Sequence, residues 1–169
     1  MTTFAPTMLA TPTDLSAKEV QAISQSLNAL IADALALYIK TKNYHWHLYG
    51  ASFKELHELF DTHAEQLLES VDPLAERVRK LGATTLHSIS QIAKLQQIKD
   101  DEDDLVKPLE MVKRLLSDNQ HMARCQRTAI SVCEENNDTV SSDVLQSYLD
   151  QTERRVWFLF EIAQGEARQ

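Results

Sequence analysis

The stretch FKELHELFDTHAEQLLESVDPLAERVRKL, residues 53–81, decides how this chain is read. Ser52 before it and Glu55 within it have capping-box spacing, and Gly82 after it stands where a left-handed residue closes a helix. The spacing therefore predicts one long helix from Phe53 to Leu81. At 100° per residue, Glu58, Asp61, Glu65, Glu69, Asp72 and Glu76 share a stripe roughly 80° wide, with His57 at its edge. Taken alone, such a stripe reads as the solvated face of a bundle helix. Like charges at i+4 repel, however, so something positive facing the stripe would relieve it: basic side chains or metal ions.

The usual intra-bundle di-iron pattern needs Glu-x-x-His on two helices. None of the 6 histidines has Glu three residues before it; Asp118 before His121 is the nearest approach. Another arrangement fits the spacing better. His57 and Asp72 lie within about 60° of each other around the helix but about 22 Å apart along it. Two antiparallel copies of this helix across a two-fold axis would bring His57 of one chain to Asp72 and Glu76 of the other.

Working outward, Ser16 and Glu19 form a further capping box, and Leu27, Leu30, Ile31, Ala34, Leu35 and Tyr38 carry a first helix to about Trp46. Thr84 to Leu95 reads as a short helix in a long connection. The acidic run Asp100 to Asp104 is expected to open a third long helix, with Pro108 in its first turn and Asn136 and Asn137 at its end. Ser141 or Ser142 is expected to cap a fourth, ending at Gly165. Residues 1–13 lack apolar periodicity and read as a flexible arm. The expectation is an all-α chain: one four-helix bundle domain over residues 14–165, with a short crossover helix between helices two and three.

Composition agrees. The chain has 169 residues, 43% of them hydrophobic, with only 3 Gly and 4 Pro, too few for the turns of an all-β fold. Its net charge of −8 disfavours a simple electrostatic nucleic-acid binder and suits attraction of cations. No apolar run is read as a membrane span, and no basic segment opens a secretory signal. Cys125 and Cys133, about 12 Å apart on one helix, are expected as free thiols in the cytoplasm.

The run from Lys42 through Asn43, Tyr44, His45, Trp46, His47, Leu48, Tyr49, Gly50, Ala51 and Ser52 to Phe53, followed by Leu56, His57, Glu58, Leu59, Phe60 and Asp61, resembles the signature of the Dps proteins. These are the mini-ferritins known as DNA-binding proteins from starved cells. Asp72, Pro73, Leu74, Ala75, Glu76 and Arg77, with Leu81 and Gly82, resemble that family's following segment. The separations from His45 to His57 to Asp72 to Glu76 match the family's. The likeness runs over nearly the whole chain, including Trp157 to Glu161.

The resemblance implies a ferritin-like four-helix bundle that assembles into a hollow homo-dodecamer. It implies two ferroxidase sites at each two-fold interface, with His45, His57 and Asp61 from one subunit and Asp72 and Glu76 from its partner. Iron(II) would be oxidised there, preferably by hydrogen peroxide, otherwise by dioxygen. Ferric mineral would collect inside, and DNA would be protected from oxidative damage. Imidazole and carboxylate suit iron in both redox states. Asp61 would be a direct ligand or would act through a histidine N–H. Trp46 would intercept stray oxidising equivalents or serve as a packing aromatic. Lys42 reads as a solvated helix end. His47, His63, His87 and His121 read as structural or surface residues. Asp138 and Asp143 would line an iron-admitting pore or simply cap a helix. Glu65 and Glu69 would face the cavity.

Two features depart from simple expectation. Pro73 inside a helix removes the bond to the Glu69 carbonyl, which predicts a kink or, at the limit, a helix end near Ser70. The arm also lacks the lysines through which many Dps proteins condense DNA. Residues 1–17 hold no Lys or Arg, and only Arg168 stands in the C-terminal tail. DNA contact would fall to Arg77, Arg79 and Lys80. The rival readings are a structural nucleoid shell with little ferroxidase turnover and a small helical binding module.

Overall fold

The computed structural model describes residues 7–165. After a 3-10 turn at Thr7–Leu9 come α1 (Ala17–His47), α2 (Phe53–Lys80), α3 (Ile89–Leu95), α4 (Pro108–Glu135) and α5 (Thr139–Gly165), and no strand occurs among the described residues. The chain is all-α, as the sequence predicts.

The helix ends explain where sequence reading succeeds and where it does not. Ser16 and Glu19 cap α1 reciprocally: Ser16 N–H donates to Glu19 Oε2 at 2.7 Å, and Glu19 N–H to Ser16 Oγ at 3.4 Å. The second capping box does not form, because Ser52, at φ −93° and ψ 24°, is not extended and accepts no side-chain cap bond. α2 runs through Pro73 to Lys80, so it has no end at Ser70. It closes as a Schellman turn: Gly82 has φ +80°, its N–H reaches the Arg79 carbonyl at 3.0 Å, and Ala83 N–H reaches that of Val78 at 3.2 Å. A Cβ on Gly82 would lie 2.6 Å from the Thr11 carbonyl oxygen.

The crossover helix is shorter than expected, starting at Ile89 with Ser88 as its N-cap. Asn28 holds the residues before it, donating to the Thr84 carbonyl at 3.1 Å and accepting from Thr85 Oγ1 at 2.9 Å. The acidic run 100–104 does not open the third long helix, which begins only at Pro108. A residue before proline avoids the helical region, and proline needs no N–H partner at N1. Asp101 is engaged instead by the Tyr44 hydroxyl and by Arg114, whose Nη1 donates to it at 2.7 Å. Nor do Ser141 or Ser142 cap α5; Asp138 does, its Oδ1 accepting from Ser141 N–H at 3.0 Å.

Cross-links along the connection set the topology. Asn28 meets Thr84, Asp33 meets Gln97, Lys40 meets the Lys99 carbonyl and Tyr44 meets Asp101. The connection thus climbs α1 from its N-terminal to its C-terminal half, so α4 runs antiparallel to α1 and parallel to α2. Arg77 near the end of α2 meets Asp138 at the start of α5, which brings the last helix back antiparallel to α2. This is a bundle with one long crossover.

Two apolar clusters fill it. One gathers Ile23, Leu27, Val78, Met122 and Leu145; the other gathers Leu37, Tyr44, Phe60, Leu115 and Leu159. α1 is long and apolar enough, by length and composition alone, to cross a membrane. Its apolar residues line both clusters, which accounts for that character. Of the stretch 1–13 read as an arm, residues 1–6 lie outside the described residues, as does Arg168. The Leu9 carbonyl accepts from Arg79 Nη2 at 2.7 Å.

Candidate metal centre

His45 in the last turn of α1 and His57 in the second turn of α2 face each other across the short loop 48–52. Their rings stack with centroids 3.6 Å apart. His45 Nδ1 lies 2.8 Å from the His57 carbonyl oxygen, and His57 Nδ1 lies 3.0 Å from that of His45. A carbonyl only accepts, so each Nδ1 carries a proton, and Nε2 is the nitrogen left to offer a lone pair. This is the tautomer a metal requires, held by hydrogen bonds to the far nitrogen. Phe53 stacks on the outer side of His57 at 4.9 Å.

Asp61, one turn after His57, lies 4.0 Å from His45 Nε2 through Oδ1. The same oxygen accepts from Lys42 Nζ at 2.6 Å. That bond, chiefly, holds the carboxyl below its usual range. Lys42 is therefore not a free solvated helix end. It also sits 5.9 Å from the ring centroid of Trp46, which is 60% exposed. Trp46 is not a core aromatic within the subunit.

Asp72 and Glu76 are exposed and belong to the same helix face, with Glu76 paired to Lys80 at 2.9 Å. One straight helix separates His57 from Asp72 by about 22 Å. A single chain thus unites His45, His57 and Asp61 and leaves Asp72 and Glu76 apart. Glu65 and Glu69 are exposed between them.

The middle of the bundle is closed to cations. Arg155 of α5, only 3% exposed, lies between the two apolar clusters. It donates to Asn119 Oδ1 at 2.8 Å, to Thr152 Oγ1 at 2.8 Å and to Gln66 Oε1 at 3.4 Å. Burial pushes the guanidinium down to about 10, still charged at neutral pH. Nearby His63 is 4% exposed, with Nδ1 unpartnered. Burial first, then the charges of Arg155 and Arg154, push it down to about 3. A fixed cation and a neutral histidine stand where other bundles carry inward carboxylates.

Asp138 and Asp143 separate. Asp138 is 5% exposed, caps α5 and pairs with Arg77 Nη2 at 3.0 Å. Asp143 is exposed, beside a shallow depression shared with Glu134 and Thr139. The three basic residues considered for DNA contact all have internal partners: Arg77 binds Asp138, Arg79 binds the Ala83 and Leu9 carbonyls, and Lys80 binds Glu76. Cys125 and Cys133 are free thiols. His121, read as partnerless, lies 3.3 Å from Cys125 Sγ. Its i,i+4 spacing to Cys125 was the available signal.

The ferritin-like domain family matches residues 24–167. The DNA protection during starvation protein of Agrobacterium fabrum is 30% identical over 149 residues, 88% of this chain and 92% of that protein. Among solved structures, DpsC from Streptomyces coelicolor superposes with a TM-score of 0.88 at 30% identity, covering 95% of this chain and 92% of its own. The Vibrio cholerae Dps protein, described as a ferritin-like diiron-carboxylate protein, gives 0.83 at 30% identity, with 90% and 96% covered. With the family matched over most of the chain and a 30% identical relative covered to 92% of its length, the chain belongs to the ferritin-like family and, within it, to the Dps proteins.

Proposed function

We propose that this protein oxidises and stores iron, using sites completed between two subunits. The observation that carries the reading is the reciprocal clasp of His45 and His57, which leaves two Nε2 lone pairs beside Asp61 on one side of the bundle. Two imidazoles and one carboxylate make half a coordination shell for iron. The missing half is of the same type as Asp72 and Glu76, which an antiparallel partner helix would supply from its own exposed face. A homo-dodecamer built on such two-fold contacts would enclose the mineral.

In this reading iron is the substrate. Each iron(II) gives up one electron, and hydrogen peroxide, the preferred oxidant, takes two as its O–O bond breaks to two hydroxides. Dioxygen is the slower alternative. The residues bind and orient the iron, and the incomplete shell leaves room for the oxidant. Trp46, exposed beside Lys42, is placed to receive a stray oxidising equivalent or to pack against the partner. Protection of DNA follows from removing iron and peroxide together in the cytoplasm and needs no contact with DNA.

The test is iron(II) oxidation with added peroxide, followed by ferric absorbance, for the natural chain and His57→Ala. Fast oxidation lost in the variant, at unchanged assembly size, supports the site. Equal rates reject it and favour a structural shell.

A further inference from the structure

A second constellation lies on the opposite side of α1, where the crossover connection meets α4. One carboxylate oxygen of Asp33, one His121 nitrogen and the Cys125 sulfur all lie within 4.8 Å of one another. His121 and Cys125 stand one turn apart on α4, with Nε2 3.3 Å from Sγ. A zinc ion at its usual bond lengths sets tetrahedral nitrogen and sulfur ligands about 3.6 Å apart. The two α4 ligands are therefore almost at coordinating separation.

Asp33 supplies the second, independent observation. It is 0% exposed, within the otherwise apolar stretch 29–39 of α1. Its Oδ1 accepts from the backbone N–H groups of Gln97 and Ile98, the latter at 3.0 Å. Its Oδ2 is buried with no hydrogen-bond partner among the described residues. A buried carboxylate oxygen without a protein partner is costly unless a cation or a water answers it. The two amides fix the carboxylate, as outer hydrogen bonds fix a metal ligand. A cleft bordered by Ser26, Asp33, Cys125 and Thr128 opens from this point to solvent and supplies an access path.

We propose that Asp33, His121 and Cys125 bind a divalent transition-metal ion of borderline softness, zinc being the best match. One oxygen, one nitrogen and one sulfur ligand form a three-residue set that leaves a fourth position for water. Asp33 comes from α1, the other two from α4, and Asp33 also holds Gln97 and Ile98. Metal binding would therefore tie the crossover connection to both helices. The site is distinct from that of His45 and His57, contains sulfur where the other has none, and does not depend on it.

The assembled protein, titrated anaerobically with cobalt(II) as the probe, tests this. The natural chain, His57→Ala and Cys133→Ser are each expected to show the near-ultraviolet band of thiolate-to-cobalt charge transfer. Cys125→Ser is expected to lose it, and Asp33→Asn to need at least tenfold more metal. Zinc is expected to raise the Tm of His57→Ala but not that of His57→Ala combined with Cys125→Ser. Cys125→Ser folding, checked by its far-ultraviolet dichroism, keeps the comparison valid. No band in the natural chain, or a band surviving Cys125→Ser, would overturn the proposal. His121 and Cys125 would then be a plain hydrogen-bonded pair, and Asp33 a carboxylate that only fastens the connection.

Discussion

His45 and His57 orient each other: each Nδ1 is bonded to the other's backbone carbonyl, at 2.8 and 3.0 Å, and the rings stack between these two bonds. Removing either ring therefore removes a ligand and the ring that stacks on the other, while the bond that orients the remaining ring, made to a backbone carbonyl, is kept. His45→Ala and His57→Ala are each expected to lose metal affinity at least tenfold, and the double variant to lose more than either. Calorimetric titration with iron(II) under anaerobic conditions measures this. A single variant that binds iron(II) as tightly as the natural chain would remove that ring from the ligand set.

Lys42 competes for the same carboxylate that a metal would use. Its Nζ lies 2.6 Å from Asp61 Oδ1, and the pair is partly exposed. An ion pair of this kind contributes up to about 1 kcal/mol. Lys42→Gln is accordingly expected to tighten iron(II) binding about fivefold. The same titration decides it, and weaker binding would mark Lys42 as a positioning group.

His63 ties stability to pH. It is neutral and buried in the fold, pushed down to about 3, whereas in the unfolded chain it protonates near 6.5. The unfolded state therefore takes up the proton first as pH falls. The stability that neutral His63 contributes is present above about 6.5 and is lost as pH drops toward 3. His63→Leu is expected to remove one proton from this dependence, about 1.4 kcal/mol per pH unit at most. Urea unfolding at a series of pH values tests it, and an unchanged slope would refute it.

Asp138 and Asp143 should respond differently. Asp138→Ala leaves Arg77 with an uncompensated charge and uncaps α5, a loss of roughly 3–5 kcal/mol. Asp143→Asn is expected to leave stability unchanged and to slow iron uptake, if an exposed carboxylate at that depression guides iron. Thermal unfolding and uptake kinetics on both variants separate the two roles.

Gly82→Ala tests the turn that ends α2, against which Thr11 packs. At φ +80°, with the Thr11 carbonyl oxygen 2.6 Å from the added methyl, alanine is strained in both backbone and space. A loss of about 1–3 kcal/mol is expected, read as a lower Tm.

Much of this was legible in the residues themselves. Periodicity located four long helices, because a 3.6-residue repeat over some 28 positions is hard to mimic. Gly82 and Asn136–Asn137 marked real helix ends, because left-handed and capping conformations depend on local chemistry alone. The shared face of Asp72 and Glu76 was equally local, being fixed by helix geometry, whereas the pairing of His45 with His57 came from the resemblance to the Dps signature. Where sequence reading failed, a distant partner had taken the group. Asp101 left the helix start for Tyr44 and Arg114, and Asp138 displaced the nearby serines by serving both Arg77 and the α5 cap.

Only the tertiary structure decided the rest. It turned the two histidines onto each other's carbonyls, placed Arg155 in the bundle's interior and brought Asp33 to His121 and Cys125 across 88 residues of chain (121 minus 33). A helix's own repeat determines which of its faces is apolar or charged, but it carries no information about the face packed against it. That depends on the path of the crossover connection, which hydrogen bonds to α1 from Asn28 to Tyr44 determine.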